Sequence, residues 1–405
     1  MSAEPTAAYR PGDVLDVRIE KIVAGGHGLA FAEGLTLFVD LATVGDRIRA
    51  RLREVKGKIA FAEIETVVEP APARIAPPCP YVGRCGGCNF QQMTYPAQLE
   101  AKLGILRDCL HRIGKLDYEG EIPIIPSPQE FGYRLRAQWH IATAEREIGY
   151  YARDSRDLVA IEHCPILLPE LDDVLQQVRQ ETDWAKVWFD KGAVDAAVGD
   201  EGSVSVYSPE LGLEPNEIML TTAGEKYRFA ADVFFQGNRF LIDTLIGVAL
   251  GNTSGYTALD LYCGVGLFTV PMSRRFKRVT AVEEFGKAVD YARKNVDAAG
   301  LNNVEIVEGS VGKFLSGARR GEIDFALLDP PRSGTEKKTV LDLIRLQPKR
   351  VSYVSCDPSV LARDVRRFLD GGYEVDSITA LDLFPQTHHV ETVVHLGLNH
   401  LPPIS

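Results

Sequence analysis

Between Gly255 and Gly397, short apolar runs alternate with helical patterns, and this alternation constrains the fold more than any other feature of the chain. The predicted strands are Thr257–Leu261, Val279–Glu283, Glu305–Val307, Phe325–Leu328, Val351–Ser355, Val375–Ala380 and Thr392–Leu396. Strands and helices in strict alternation imply a mainly parallel sheet with helices on both faces, an α/β Rossmann-like domain. Ligands of such sheets bind in the crevice outside the carboxyl ends of the strands. Four chemically suggestive runs fall at those ends.

The first run is Ala258-Leu259-Asp260-Leu261-Tyr262-Cys263-Gly264-Val265-Gly266, a buried strand entering a glycine turn. Glycines let the backbone turn sharply and approach a ligand closely. Thr269 stands where a dinucleotide site has its third glycine. An acidic residue before a two-glycine turn suits S-adenosylmethionine better than NAD, and Glu283, ending the next strand, is placed to take ribose hydroxyls. Cys263 reads as a packing residue. The second run, Asp329-Pro330-Pro331-Arg332, holds a carboxylate on a stiff diproline. Amino-methyltransferases stack the target base on an aromatic residue after a similar run; Arg332 here weighs against methylation of an exocyclic amine.

The third run, Ser355-Cys356-Asp357-Pro358, ends the fifth strand. C5 of uracil is too weak a nucleophile to attack a sulfonium methyl unaided. A thiolate adding to C6 makes an enolate whose C5 attacks; a base then removes the C5 proton and the thiol leaves. That scheme needs a cysteine, a base and a group to stabilise the O4 enolate. Cys356 meets the first need, against the commoner fate of a buried packing cysteine. In the fourth run, His388-His389-Val390-Glu391-Thr392, Glu391 is the candidate base, since desolvation raises a carboxyl pKa toward neutrality.

The remaining sequence suggests additional parts, and 405 residues exceed what one core usually organises. Residues 9–68 read as a small β module of short strands, with Gly25-Gly26-His27-Gly28 as a turn. Arg47, Arg49, Arg51 and Arg53 alternate with apolar residues, which puts the arginines on one face. A Pro/Ala linker follows at Glu69. Residues 70–225 hold a helical stretch near 97–113, a strand at Ala137–Ala142 and the pattern Cys79-x5-Cys85-x2-Cys88, with Cys164 as a distant fourth thiolate. Four thiolates suit either a 4Fe–4S cluster or structural zinc. The spacing is not the C-x3-C-x2-C of radical enzymes, so reductive cleavage of the cofactor is not expected. Arg134 and Arg136 are candidates for phosphate contacts or for ion pairs. The formal net charge of −11 is awkward for a nucleic-acid partner, although binding depends on local patches such as the arginine strand. No signal-like opening and no apolar run of roughly eighteen residues occurs, so a cytoplasmic protein with no membrane association is expected.

Taken together, the second half resembles the RNA uridine C5-methyltransferase family. It matches at Phe234-Phe235-Gln236-Gly237-Asn238, at Asp260–Gly266, at Asp329-Pro-Pro-Arg332, at Ser355-Cys356-Asp357-Pro358, and at Phe384-Pro385…His389-Val390-Glu391-Thr392, in the family's order. The resemblance implies that Gln236, Tyr262, Glu283 and Asp329 contact S-adenosylmethionine, with Gly264 and Gly266 forming its turn. It further implies Cys356 as nucleophile and Glu391 as base. Leu267, Gln386 and Gly237 depart from the residues frequent in that family. Its ribosomal-RNA members carry a similar cysteine cluster, so the resemblance implies an iron–sulfur site at Cys79, Cys85, Cys88 and Cys164, with zinc as the alternative. They also carry an N-terminal TRAM domain, an RNA-binding β-barrel that residues 9–68 resemble. Three domains are therefore expected: a TRAM-like barrel (9–68), a central α+β iron–sulfur domain (70–225) and a methyltransferase domain (226–405). The expected partner is RNA, with 23S rRNA favoured over tRNA, and a monomer is assumed. The rivals are a cytosine C5-methyltransferase, a tRNA enzyme, and an iron–sulfur RNA-binding or assembly protein with a vestigial methyltransferase domain.

Overall fold

A computed structural model describes residues 9–399 except 33, 144, 185, 186 and 188; the last six residues of the expected methyltransferase domain, 400–405, lie outside it. The chain forms two compact units. One comprises the residues up to Asp108 with Pro385–His388; the other comprises Cys109–Phe384 and the residues from His389 on.

In the first unit, β1 (Val14–Arg18), β2 (Lys21–Val23), β3 (His27–Ala32), β4 (Leu35–Val39), β5 (Arg47–Lys56) and β6 (Ile59–Glu69) form one sheet, ordered β1-β5-β6-β4-β3-β2. Only Ile19 and Glu20 separate β1 from β2, so the chain itself joins the two ends of the order and the sheet curls. The result is like a half-barrel, where a small β-barrel was expected. Its inner face packs Ile19, Leu37, Val39, Ile48, Ala50 and Leu52. The arginine alternation holds: Arg47, Arg49, Arg51 and Arg53 are exposed while Ile48, Ala50 and Leu52 are buried. The Pro/Ala segment after β6 is tied to the sheet. Buried Asp46 accepts from Ala71 N (2.9 Å) and from Arg74 Nε (2.9 Å). Helix α1 (Tyr95–Arg112) carries the chain into the second unit.

The second unit begins with β7 (Ile124–Ile125), then β8 (Arg136–Ala142), β9 (Glu147–Tyr151), β10 (Leu158–Ala160), α2 (Pro169–Glu181), β11 (Lys191–Val198) and β12 (Val204–Tyr207). Strands β8 to β12 make a five-stranded sheet ordered β10-β9-β8-β11-β12, and β13 (Ile218–Thr222) pairs with β14 (Glu225–Phe229). There follow α3 (Ile242–Leu250), β15 (Gly255–Leu261), α4 (Thr269–Ser273), β16 (Phe276–Glu283), α5 (Gly286–Ala298), β17 (Val304–Glu308) and α6 (Val311–Gly317). The chain closes with β18 (Phe325–Leu328), α7 (Lys337–Leu346), β19 (Arg350–Ser355), α8 (Pro358–Asp370), β20 (Tyr373–Leu381) and β21 (Glu391–Leu398).

These elements build an eight-stranded sheet ordered β17-β16-β15-β18-β19-β21-β20-β7. From β17 to β19 all neighbours are parallel, whereas β21 runs antiparallel to both β19 and β20. The chain winds outward from β15 through β16 to β17, then returns to β18 on the other side of β15. That reversal opens the crevice in which ligands of such sheets bind. Among the described residues no helix is long and apolar enough to cross a membrane.

Candidate active site

The reversal between β15 and β18 positions the glycine turn and the diproline run side by side. Asp329 N donates to Leu261 O (3.3 Å), which ties the end of β18 to the end of β15. In the turn, Tyr262 (φ 67°), Gly264 (φ 55°) and Gly266 (φ 90°) are left-handed. A Cβ added at Gly264 would meet nothing within 4 Å, so space rather than a neighbour lies over that backbone. Glu283 is fixed from below: its Oε2 accepts from Gly264 N (3.0 Å), and its Oε1 accepts from Glu284 N (3.0 Å) and Phe285 N (2.9 Å). A carboxylate has about four acceptor positions, so one remains for a hydroxyl ligand.

Two further carboxylates are buried in the same place. Asp260 accepts from Thr269 Oγ1, but its Oδ1 is buried with no hydrogen-bond partner among the described residues. Burial pushes its pKa up to about 7, Thr269 opposes the rise and Glu283 adds to it. Asp329 accepts from Gln236 Nε2 (3.1 Å); burial and then the Asp260 charge raise its pKa. A buried, unpartnered carboxylate oxygen costs free energy that a cationic ligand would relieve. The sulfonium and ammonium groups of S-adenosylmethionine match that need, and the ribose matches Glu283, so the residues present fit this molecule.

Gln236 is held through its neighbours. Asn238 Nδ2 donates to Ser127 Oγ (3.1 Å) and to Leu383 O (3.3 Å), and Leu135 N donates to Gly237 O (2.9 Å). The Arg136 guanidinium donates to the carbonyls of Val233 and Ala231 and lies 5.8 Å from the centre of the exposed Phe234 ring. Burial lowers its pKa to about 10. Arg136 is therefore a brace for the Phe234–Asn238 run, a role that the sequence does not announce.

The third element is set by β21. The antiparallel register ends where Thr392 pairs with Ser355; Glu391 and Cys356 are the residues next to that pair, and the Glu391 charge acts on the thiol. The thiol is half-buried and the carboxyl is buried. Burial, and next the Glu391 charge, push the Cys356 pKa up to about 12, while Arg332 pulls it down. Glu391 is raised well above its ordinary value by burial and by Asp329, again opposed by Arg332. Asp357 accepts from Ser359 N (2.8 Å) and Val360 N (3.0 Å), capping α8 directly after the cysteine. The fold thus gathers a thiol, a raised carboxyl and one opposing guanidinium beside the cofactor turn.

The sequence model of the tRNA (uracil-5-)-methyltransferase family matches residues 216–398. An uncharacterized RNA methyltransferase of Aquifex aeolicus is 32% identical over 94% of this chain and 98% of its own. The 23S rRNA (uracil(1939)-C(5))-methyltransferase of Pseudomonas entomophila is 31% identical over 93% of this chain and 92% of its own. The chain belongs to the RNA (uracil-C5)-methyltransferase family. A solved structure agrees: the Pyrococcus abyssi tRNA (uracil-54, C5)-methyltransferase in complex with S-adenosyl-L-homocysteine superposes with a TM-score of 0.73 at 25% identity. The superposition covers 94% of this chain and 100% of that one.

Within this RNA (uracil-C5)-methyltransferase, Gln236, Tyr262, Gly264, Gly266, Glu283, Asp329, Cys356 and Glu391 all belong to the second unit. Reading the sequence passed over Arg332 as a charge, noting only that it was not aromatic; a cation between a cysteine and a carboxylate was the signal. It also passed over Thr335, which hydrogen-bonds the Tyr262 phenol. A metal centre at the expected cysteines is not shown. Among the described residues no three His, Cys, Asp or Glu side chains are gathered so as to hold a metal ion. Cys79, Cys85 and Cys88 lie in the first unit and Cys164 in the second. Local bonds organise each stretch instead: Cys79 N donates to Gln91 Oε1 (3.1 Å), Cys85 N to Tyr81 O (2.9 Å) and Cys164 N to Asp172 Oδ1 (3.0 Å).

Proposed function

We propose that this protein methylates C5 of a uridine in 23S rRNA, with S-adenosylmethionine as the methyl donor. The observation that carries the reading is the β19–β21 register, whose last pair, Ser355 with Thr392, has a half-buried thiol and a buried carboxyl as its adjoining residues, with Arg332 acting on both. In the proposed sequence the Cys356 sulfur bonds to C6 of the uracil, and the charge passing to O4 is met by Arg332. C5 takes the methyl group and leaves S-adenosylhomocysteine. Glu391 then removes the C5 proton, the C5–C6 double bond reforms, and the sulfur departs. Gln236, Tyr262, Gly264, Gly266, Glu283 and Asp329 hold the donor, whose bound form supplies an electrophilic methyl group. The target base must leave its stack to expose C6.

We assign three functional parts to the chain: 9–68 grips RNA, 70–225 shapes the RNA-facing surface, and 226–405 carries out methyl transfer. Ribosomal RNA is supported by the full-length likeness to the Pseudomonas entomophila 23S rRNA enzyme. A tRNA substrate is the second reading, favoured by the likeness to the Pyrococcus abyssi tRNA enzyme. An iron–sulfur cluster at Cys79, Cys85, Cys88 and Cys164, with zinc as the alternative, is supported by the cysteine spacing and by the family resemblance. Iron and acid-labile sulfide in anaerobically purified protein test that assignment separately.

The test of function is methyl transfer from labelled S-adenosylmethionine to total RNA from a strain lacking the gene, with size separation and nucleoside analysis. Label as 5-methyluridine in 23S rRNA is the expected result. Label in tRNA keeps the chemistry and replaces the substrate; label in 5-methylcytidine, or in no RNA, overturns the reading.

A further inference from the structure

The segment Pro385–His388, which runs into Glu391, belongs to the first unit, and the residues just after the cysteine run hold it. Gln386 is buried and left-handed, φ 68°, an unfavourable conformation for a side chain with a Cβ. Its carbonyl accepts from Asn89 N (3.1 Å) and Phe90 N (3.0 Å). Its own N–H donates to Gln98 Oε1 (3.0 Å), while Gln98 Nε2 donates to Gln386 Oε1 (2.9 Å). Two residues on, His388 N donates to Asn89 Oδ1 (2.9 Å), and Asn89 Nδ2 donates to His388 Nδ1 (3.0 Å). The same Nδ2 reaches Gly25 O (3.4 Å) in the half-barrel turn. Gly26, φ 79°, is required by the closeness of this packing: a Cβ there would come 2.3 Å from Asn89 Nδ2 and 2.9 Å from His388 Cβ.

Both side chains of the clamp are buried, so every bond lost leaves an unsatisfied polar group. A strained backbone persists only where its surroundings over-determine it. The strained residue here lies five positions before the candidate base, and the end of the clamp lies three positions before it. We propose that Asn89 and Gln98 are positioning residues that set the course of the Pro385–His388 segment and thereby the carboxyl of Glu391. The segment next to the cysteine run then acts on the proton-removal step, through the backbone. This inference rests on the reading of Glu391 as the base.

A structural role and a positioning role predict different kinetics. If Glu391 is misplaced, addition and methyl transfer proceed but proton removal and thiol release lag, so methylated RNA stays bound to Cys356. Turnover and the fraction of RNA in a denaturant-resistant adduct are therefore measured for wild type, Asn89→Ala, Gln98→Leu and the conservative Asn89→Asp and Gln98→Glu. Affinity for S-adenosylhomocysteine is measured alongside. The expected result is turnover lowered about tenfold or more in Asn89→Ala and Gln98→Leu. The adduct should accumulate, affinity for S-adenosylhomocysteine should not change, and the acidic variants, which keep the acceptor oxygens but lose the amide donors, should retain more of the rate than Asn89→Ala and Gln98→Leu. Wild-type turnover in Asn89→Ala and Gln98→Leu overturns the proposal. So does a parallel loss of turnover, adduct and cofactor affinity, which marks a merely structural contact. A wild-type protein that makes no 5-methyluridine overturns the function reading as well, a result distinct from either.

Discussion

Cys356 is a poor nucleophile until something changes its surroundings. With burial and the neighbouring carboxylates pushing its pKa up to about 12, only a minute fraction is thiolate near neutral pH, and thiolate is the reactive form. Arg332 is the cation that opposes this. Arg332→Ala should therefore slow alkylation of Cys356 at fixed pH by about tenfold for each factor of ten in thiolate lost. Peptide mapping with iodoacetamide reads the rate; unchanged alkylation would remove Arg332 from the thiol's electrostatics. Asp260 makes a different prediction, of stability against pH. Its folded pKa of about 7 lies above its ordinary 3.8, so the native state holds a proton that the unfolded chain has already released. The stabilisation is complete below the ordinary value and is lost as pH rises toward about 7. Ligand-free protein should melt lower at pH 8 than at pH 5, and Asp260→Asn should flatten that profile, at about 2–4 °C per kcal/mol. S-adenosylmethionine, with its sulfonium charge, should raise Tm more at pH 8 than neutral-sulfur S-adenosylhomocysteine does. Equal shifts from the two would show that the carboxylate does not sense that charge.

Helix α8 shows how an element transmits a residue's role. It starts directly after Cys356, with Asp357 accepting two backbone N–H groups and Pro358 in its first turn. Asp357→Ala should cost about 1 kcal/mol of stability, read as a shifted urea midpoint, and should lower turnover as well because the cap abuts Cys356. Asp357→Asn, which keeps the accepting oxygen, should restore both; if it restores stability alone, the charge rather than the cap matters to the reaction. Elements of this kind were the most legible part of the sequence. Strands β4 and β18 fall where apolar runs between turn residues put them, and chemistry at the ends of β15, β18 and β19 follows from how parallel sheets present ligands. The direction of β21 was not legible. An apolar run buried on both faces reads the same parallel or antiparallel, yet the reversal is what pairs Thr392 with Ser355, next to Glu391 and Cys356. Gln386 was visible only as a departure from a family pattern, since its left-handed backbone is fixed by Asn89 and Gln98, nearly three hundred positions away. Arg136 read equally as a phosphate contact or an ion-pair partner, because nothing local marks a guanidinium that will turn inward to carbonyls. The cysteine spacing was conspicuous, yet among the described residues no three metal-ligating side chains form a group, because spacing states which atoms are available and not where the fold puts them.

At the scale of the whole molecule, a chain of net charge −11 has to approach a polyanion. The outer face of the half-barrel offers the means, held partly in check. Arg47 pairs with Glu69 (2.7 Å) and Arg49 with Glu65 (3.2 Å); Arg51 also pairs with Glu65, and Arg18 with Glu69 (3.5 Å). Two glutamates thus partner four arginines. The arginine side chains are 44% to 62% exposed, and pairs so exposed contribute little, about 0–1 kcal/mol each. Such pairs open readily when a phosphate arrives, but the glutamates stay behind as like charges near the backbone of the RNA. If this face grips RNA as proposed, Glu65→Gln and Glu69→Gln should tighten binding, and Arg49→Ala with Arg51→Ala should loosen it for matched and mismatched sequences alike. The gain should be largest at low ionic strength and fade as salt screens the repulsion, over a Debye length of about 10 Å at 0.1 M. Each arginine that meets a phosphate should also contribute about 0.9 to the slope of log affinity against log salt. Filter binding of a 23S rRNA fragment across a salt series reads both effects. Affinities and slopes that do not respond to the glutamate and arginine changes would place the RNA on another surface and leave the four arginines as a solvated edge. A change in affinity with an unchanged slope would assign the effect to altered packing of the sheet, because counterion release counts only charges that touch phosphate.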